Sequence, residues 1–337
     1  MTSATPICNL WHIKRTNGLF YYALDYLRAQ TRPAVVVVRK ELLEATRAEL
    51  PNHDVRAVGG GGFLLRMAGA LMRGRFVFTP TSHPFPFLRR QLVVIHDDFP
   101  FLGKTGSLKR HLFEFGLRSS GCDIGHINHS TSLDALRDRD TLAARLRYMP
   151  NKGPAPGVAQ ALRVARAAAV AAVPPIRIAL FGSDSPKKHY EDLFGSIRAK
   201  RLATRVRCLV YGHATPYLDD LRARFADLDI ELVTSAAARI EDFLAGADLV
   251  ASVARHEGFG RPIALALSAG IPCFLLESPV FREFFGRSTR LYQDVDSLVD
   301  DIGAFSADRA QDVRFVELAA IGTAFDAAVA HLDTHLA

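Results

Sequence analysis

The 337-residue sequence predicts an α/β protein built from two Rossmann-like, doubly wound domains that face a central cleft. Short apolar segments alternate with helical ones, which is typical of parallel sheets covered by helices on both faces. Residues 34–38 and 176–181 are the clearest strands, because the first is an apolar run and the second is apolar apart from Arg177, and each is long enough for a buried parallel strand. At about 150 residues per domain, the length favours two domains.

The predicted elements follow in order along the chain. In the first half, we expect strands at 34–38, 75–78, 92–95 and 123–127, with helices at 21–27, 40–49 and 107–118. In the second half, we expect strands at 176–181, 207–211, 230–233, 247–253 and 272–276, with helices at 190–198, 217–225, 240–244 and 262–269. A long alanine-rich helix is expected at 312–336.

The connection between the two domains is predicted near residues 150–158, where Pro and Gly are frequent. We therefore expect an N-terminal domain at 1–160 and a C-terminal domain at 175–312. The last helix, at about 313–337, is expected to pack back on the first domain.

Charge is divided unequally between the two halves. Residues 1–160 carry 22 Lys and Arg against 12 Asp and Glu, whereas residues 161–337 carry 20 against 23. A basic first half favours an anionic partner. The basic residues are mostly scattered arginines without interleaved aromatic residues, so nucleic acid is not expected as a partner.

Cysteine content and hydropathy restrict the class of protein further. The four cysteines are far apart and form no C-x-x-C pair, so we expect buried, reduced thiols rather than a metal site. No apolar run reaches the ~18–20 residues that span a bilayer, and the N-terminus does not read as a signal peptide. These features predict a cytoplasmic protein.

Several loops that follow predicted strands carry residues suited to binding. In the segment from His256 to Pro262, glycines allow close approach of the backbone, and free N–H groups at the next helix start can hold a phosphate. Glu257 can accept hydrogen bonds from sugar hydroxyls. The alternative interpretation is a Gly-rich turn with a solvated glutamate.

Three further loops offer weaker signals. Lys187 and Lys188, after Gly182 and Ser183, could neutralise a diphosphate, although paired lysines are more often solvated. His96 ends a strand and could orient a hydroxyl, or it could be structural. Gly18 precedes a helix and could present backbone N–H groups to a phosphate, or it could be only a helix start.

Taken together and in order, these segments resemble the retaining family-4 glycosyltransferases of the GT-B fold, over nearly the whole chain. The stretch from Glu257 to Pro272 resembles the family's "E-G-F-G-L-P-x-x-E-A-M-A-x-G-x-P" and is the most specific. The other similar segments are Asn17-Gly18, Phe78 to His83, Leu92 to Asp97, Pro150 to Gly153, Gly182 to His189, and Ala247 to Val250.

The resemblance implies a role for each matching residue. Glu257 would contact the donor sugar, and Lys188 would bind the diphosphate. Gly18 would complete the phosphate site from the first domain, and His96 would lie near the reacting carbon and the acceptor. The remaining donor-binding positions are Gly182, Ser183, Gly258, Phe259, Gly260, Arg261, Pro262 and Leu265.

Four positions depart from the family pattern. Leu265 stands where the family has the glutamate that binds the ribose, and leucine accepts no hydrogen bond. Arg261 replaces a leucine, His189 replaces the usual Asn or Gly, and Ser183 stands where many members have arginine.

The expected function is transfer of a hexose-type sugar, with retention, from a nucleotide diphosphate donor to a surface-glycan or lipid-linked acceptor. The resemblance implies no cofactor and no metal, and the basic N-terminal domain would contact the inner face of the membrane peripherally. One alternative, motivated by Leu265, is an inactive relative that acts as a binding or assembly partner. A dehydrogenase is disfavoured because no G-x-G-x-x-G follows the first strand of either half.

Overall fold

The chain folds into two compact units, each built on one parallel sheet. The computed structural model describes residues 5–97, 101, 106–136, 139–169, 175–183, 186–306 and 313–336. The first unit comprises Met1–Lys152 and Ala320–Ala337, and the second comprises Gly153–Ala319. Two doubly wound, Rossmann-like sheets confirm the predicted fold class.

The first unit has a seven-stranded sheet in the order β3-β2-β1-β4-β5-β6-β7, with every pair parallel. Its strands are β1 (Ile7–Asn9), β2 (Val35–Val38), β3 (Asp54–Ala57), β4 (Val77–Thr79), β5 (Gln91–Ile95), β6 (Asp123–His126) and β7 (Leu146–Tyr148). Its helices are α1 (Gly18–Ala29), α2 (Leu43–Glu49), α3 (Gly60–Met72), α4 (Gly106–Ser120) and α5 (Arg139–Leu142), and the C-terminal α13 (Leu318–Leu336) also packs here.

The second unit has a six-stranded parallel sheet in the order β10-β9-β8-β11-β12-β13. Its strands are β8 (Ile176–Phe181), β9 (Val206–Gly212), β10 (Asp229–Thr234), β11 (Leu249–Ser252), β12 (Cys273–Leu276) and β13 (Leu291–Tyr292). Its helices are α6 (Pro156–Ala169), α7 (Tyr190–Ala199), α8 (Pro216–Arg224), α9 (Ile240–Ala245), α10 (Arg261–Ser268), α11 (Pro279–Phe285) and α12 (Val295–Gly303).

Alternation along the strands of the first unit assigns helices to opposite faces of the sheet. Cys8 points into the core that holds α1 and the Phe325 and Leu332 side chains of α13. Its neighbour Ile7 points into the core beneath α3. Val93 and Ile95, which share the face of Ile7, pack against α4. The helices α3 and α4 therefore cover the same face of the sheet.

An ion pair with a buried carboxylate fixes the start of the second sheet. Asp248 precedes β11, and its Oδ2 accepts a hydrogen bond from the backbone N–H of Arg177 at 2.8 Å. The Arg177 guanidinium also donates to Oδ1 of Asp248 at 2.9 Å, and the Asp248 side chain is only 4% exposed. The segment Ala247 to Val250, one of those that resemble the family pattern, thus has a structural reason, because the Asp248 carboxylate satisfies groups at the start of β8.

Some predicted helices had the wrong boundaries, and several strands and helices were not predicted at all. The predicted helix at 40–49 begins as a 3₁₀ turn at Lys40–Leu42. The last helix begins at Leu318, after non-helical residues 313–317, and its predicted start at 312 lies outside the described residues. The predicted inter-domain connection at 150–158 overlaps the start of α6 at Pro156. The elements β1, β3, β7, β13, α3, α5, α6, α11 and α12 were not predicted. Among the described residues, no helix is both long and apolar enough to cross a membrane.

Candidate functional site

Each sheet has one point at which the direction of winding reverses. In the second unit the chain runs outward from β8 to β10 and then returns to β11, so the reversal lies between β8 and β11. In the first unit it lies between β1 and β4. Loops that leave the carboxyl ends of such neighbouring strands diverge and form the crevice in which open α/β sheets bind ligands.

Lys188 and Glu257 meet at the reversal point of the second unit. Lys188 ends a 3₁₀ turn, Pro186–Lys188, in the loop after β8, and Glu257 lies in the loop after β11. The Lys188 Nζ donates to Oε1 of Glu257 in an ion pair whose side chains are 15% and 18% exposed. Both charged groups are thus largely shielded from solvent. A ligand could replace either partner of the ion pair, with an anionic group on Lys188 or a hydrogen-bond donor on Glu257.

Gly182 is required by the path of the lysine side chain. Its φ of +86° lies in the left-handed region, which favours glycine, and a Cβ there would stand 2.8 Å from Cε of Lys188. The buried Tyr190 hydroxyl bonds to the carbonyl oxygens of Phe181 and Gly182 at 2.9 and 2.8 Å. The turn after β8 is thus fixed with Lys188 lying across it.

Ser183 is buried, and its hydroxyl is engaged within the protein. Its Oγ donates to the carbonyl of His213 at 2.6 Å and accepts the His213 backbone N–H at 2.8 Å. The Thr215 hydroxyl donates to the Ser183 carbonyl. Because its side chain ties the loop after β8 to the loop after β9, Ser183 can offer a ligand mainly its backbone.

The loop from Gly258 to Pro262 carries the start of α10 to the same edge of the sheet. Gly260 has a φ of +92°, and a Cβ there would lie 3.1 Å from Ile263 and 3.3 Å from Phe285. Phe259 is buried edge-on against Phe284, at a ring distance of 4.8 Å. Arg261 and Pro262 open the helix, whose first turn and dipole attract anions.

Leu265 is buried on α10, with only 8% of its surface exposed. At this position the family pattern has a glutamate, whereas the leucine side chain offers neither a donor nor an acceptor. Any ribose hydroxyl bound beside it must find its hydrogen bonds elsewhere. His189, another departure in this unit, lies in the left-handed region with φ of 52° and contacts Asp192 at 3.6 Å.

His96 is anchored at the carboxyl end of β5 in the first unit. Its Nε2 donates to the carbonyl of Pro80 at 3.0 Å, and its ring meets the Tyr22 ring edge-on at 4.6 Å. Burial lowers the pKa of His96 to about 4. The imidazole is therefore neutral near pH 7, and because Nε2 carries the proton, Nδ1 has the lone pair that can accept a hydrogen bond.

Gly18 is the exposed first residue of α1, in the loop that follows β1. The Asn17 Oδ1 caps this helix by accepting the backbone N–H of Phe20 at 3.2 Å. Tyr22, one turn further along α1, is the residue that contacts His96. The structure therefore brings the start of α1 and His96 to the same edge of the first sheet, and it brings Lys188 and Glu257 together in the second.

An aromatic cluster at the reversal point of the first unit was missed by the sequence analysis. His12 follows β1, His83 follows β4, and their rings stack at 4.0 Å with a 6° angle between planes. Trp11 stacks on Phe63 of α3 at 4.6 Å. Burial lowers the pKa of His12 to about 3, so this ring is neutral. His83 follows the predicted strand at 75–78 after a few residues, whereas β1, which precedes His12, was not predicted, so no sequence signal joined the two histidines.

Comparison with known proteins places the fold among glycosyltransferases of the GT-B type. No family model matches the chain, and no curated protein sequence does. Among solved structures, Anabaena HepE in complex with UDP-glucose is 16% identical, with a TM-score of 0.70 over 98% of both chains. A glycosyltransferase from Rickettsia africae is 11% identical, with a TM-score of 0.65 over 99% of this chain and 94% of the other.

A third similar structure is WaaG, a glycosyltransferase involved in lipopolysaccharide biosynthesis. It is 13% identical, with a TM-score of 0.62 over 97% of this chain and 95% of that one. Likeness at this level of identity shows the fold and leaves activity to be argued from the site.

Proposed function

We propose that this chain is a glycosyltransferase that takes a hexose-type sugar from a nucleotide diphosphate donor and transfers it with retention of configuration. The observation that carries the proposal is the shielded Lys188–Glu257 pair at the reversal point of the second sheet, beside the start of α10. The pair combines a cation for a diphosphate with a carboxylate for sugar hydroxyls, which are the two parts of a nucleotide sugar.

Donor binding would exchange the partners of the pair. The diphosphate would take the Lys188 ammonium, and hydroxyls of the sugar would donate to the Glu257 carboxylate. As the glycosidic bond breaks, negative charge builds on the leaving nucleotide, and Lys188 with the N-terminus of α10 would stabilise it. In this mechanism, groups of the protein stabilise the negative charge of the diphosphate, so no metal ion or cofactor is required.

Gly182, Ser183 and the backbone from Gly258 to Pro262 would shape the donor site. In the first unit, the start of α1 at Gly18 is proposed to contact the phosphates, and His96 the acceptor. A neutral His96 would accept a hydrogen bond from a hydroxyl through Nδ1 and would not supply positive charge.

The experiment that tests this proposal measures nucleotide release from a panel of UDP-, GDP- and ADP-sugars. Lys188→Ala should abolish turnover of the accepted donor, while Lys187→Ala, which removes the neighbouring ammonium, should retain it. Equal turnover in the wild type and Lys188→Ala would remove Lys188 from the mechanism, and no turnover or binding of any donor would reject the function.

A second candidate is a catalytically inactive relative that binds a nucleotide sugar or an assembly partner. Leu265 favours it, because the position offers no hydrogen bond to a ribose. Calorimetry with the same panel separates the candidates: tight binding without turnover supports the inactive relative, and turnover rejects it. Nucleotide affinity that rises in Leu265→Glu would place the ribose beside α10.

Peripheral contact with the inner face of a membrane would bring the enzyme to a lipid-linked or surface-glycan acceptor. Of the twelve exposed large hydrophobic side chains among the described residues, eight lie in the layer formed by α3, α4 and the loop between β4 and β5. They are Leu64, Leu65, Leu71, Met72, Phe87, Leu108, Leu112 and Phe115. Both helices cover the same face of the first sheet, so one bilayer surface could meet both.

Arginines beside α3 give this layer a positive charge. Leu65, Arg66, Arg73 and Arg75 line one groove. Burial, followed by the positive charges of Arg73, Arg56 and Arg66, lowers the pKa of Arg75. Lipid phosphates would neutralise the arginines while the leucines enter the interface.

Sedimentation with vesicles tests the attachment. The wild type should bind vesicles of anionic phosphatidylglycerol, with weaker binding to phosphatidylcholine and at high salt. Leu65→Glu/Met72→Glu should bind at least ~10-fold more weakly, because it places two charges in the apolar surface. As a control, Val164→Glu, on exposed α6 in the other unit, should bind like the wild type. Equal binding by all three proteins would contradict the assignment.

A further inference from the structure

The C-terminal helix and the sixth strand of the first unit bring together three side chains that ligate metals. His331 and His335 are one helical turn apart on α13, so both imidazoles project from the same face. Asp123 is the first residue of β6. One ligand atom from each of the three lies within 4.8 Å of the other two, and all three residues are half-buried.

Two of the distances between these atoms match those around a tetrahedral zinc ion. Nε2 of His331 lies 3.2 Å from Nε2 of His335, which lies 3.5 Å from Oδ2 of Asp123. Zinc–nitrogen bonds of about 2.0–2.1 Å place neighbouring ligands of a tetrahedron roughly 3.3 Å apart. His335 thus already stands at tetrahedral spacing from the other two donors, whose own ligand atoms lie within 4.8 Å of each other. Water can take the fourth position because the side chains remain partly exposed.

Neighbouring groups hold two of the ligands in place. The ring of Phe76 stacks on His335 at 5.1 Å, with 9° between the planes. Arg147 approaches Oδ1 of Asp123 at 3.4 Å, which leaves Oδ2 directed to His335. Neighbouring groups that fix the orientation of the ligand side chains in this way are common around metal sites in proteins.

We propose that Asp123, His331 and His335 bind one divalent transition-metal ion, and that this ion is zinc. Two imidazoles and a carboxylate suit zinc better than magnesium or calcium, which prefer oxygen ligands. The ion joins α13 to β6 and so fixes the returning C-terminal helix on the first sheet. This role is structural, and it is independent of the proposed transfer reaction.

The affinity of the chain for zinc tests the proposal. Full-length protein without a histidine tag, stripped with EDTA, should bind one equivalent of Zn²⁺ in calorimetry, and its Tm should rise with zinc concentration. His331→Gln and His335→Gln keep polar side chains of similar length and should each lower the affinity at least about 100-fold. Co²⁺ should give the visible absorption of a tetrahedral site in the wild type and not in His331→Gln or His335→Gln.

A matched control comes from the nearby imidazole pair of His126 and His129, whose rings are 4.9 Å apart. His129→Gln should leave zinc affinity unchanged. Loss of binding in His129→Gln with retention in His335→Gln would overturn the proposal, as would an unaltered Tm of the wild type with zinc. Wild-type affinity in Asp123→Asn would reduce the site to a two-histidine surface contact and would also overturn it.

Discussion

Lys188 and Glu257 are 69 residues apart in the sequence, yet their side chains form an ion pair at the point where the second sheet reverses direction. Each belongs to a loop that leaves the carboxyl end of a neighbouring strand. Because removal of either partner leaves a shielded charge without its partner, the pair is expected to influence both stability and donor binding.

The first prediction concerns the stability of the ligand-free protein. Lys188→Met should lower the free energy of unfolding by about 1–3 kcal/mol, because Glu257 then loses its charged partner while most of its side chain stays buried. Lys188→Met/Glu257→Leu should regain much of that loss, although neither variant should bind donor. Urea unfolding of the wild type, Lys188→Met, Glu257→Leu and the double variant measures the coupling free energy between the two side chains. Additive losses would show that the two side chains do not interact in solution.

The second prediction concerns Gly260. Gly260→Ala should destabilise the protein by at least about 1–2 kcal/mol, because its φ of +92° is unfavourable for alanine and its Cβ would crowd Ile263. Gly195→Ala is the matched control. It lies inside α7 with open space around the new Cβ, so it should stabilise by about 0.5–1 kcal/mol. Equal effects on Tm would contradict the left-handed conformation of Gly260.

The third prediction concerns pH. The pKa of His96 falls from its ordinary 6.5 to about 4 in the folded protein, so between these values the unfolded chain binds a proton that the folded chain does not. This contribution to stability is present above pH 6.5 and is lost as the pH falls towards 4. Compared with His96→Gln, the wild type should lose additional stability on acidification from pH 7 to 4. Parallel stability curves would mean that His96 titrates normally.

The fourth prediction concerns the aromatic cluster that follows β1 and β4. His83 is exposed and stacks on His12, so its ring is available to an acceptor at the edge of the first sheet. His83→Ala should raise the KM for acceptor several-fold and leave donor affinity in the second unit unchanged. As a control, His111→Ala, which changes an exposed residue of α4, should alter neither the KM for acceptor nor the donor affinity. A parallel loss of donor affinity in His83→Ala would contradict an acceptor role.

The fold could be predicted where hydrophobic pattern and length agreed. The strand expected at 176–181 is β8 as observed, and the run at 34–38 contains β2. By contrast, α3 was not predicted. It begins with three glycines, Gly60 to Gly62, which have low helix propensity. Its apolar residues also extend beyond the buried face, since Leu64 and Leu65 are exposed.

Long-range pairings explain why other parts of the site were not predicted. Motif spacing assigned Lys188 and Glu257 to loops, but the ion pair follows from the order of β8 and β11 in the sheet. The stacking of His12 on His83 depends likewise on the adjacency of β1 and β4. The Asp123, His331 and His335 cluster joins residues over 200 positions apart, and its available signal was the four-residue spacing of the two histidines on a predicted helix.

A crystal structure of the chain with a bound nucleotide sugar tests the central claim most directly. We predict that the diphosphate contacts Nζ of Lys188 and the first turn of α10, and that Glu257 leaves the lysine to accept hydrogen bonds from sugar hydroxyls. A bound nucleotide located elsewhere, with the Lys188–Glu257 ion pair intact, would contradict the account.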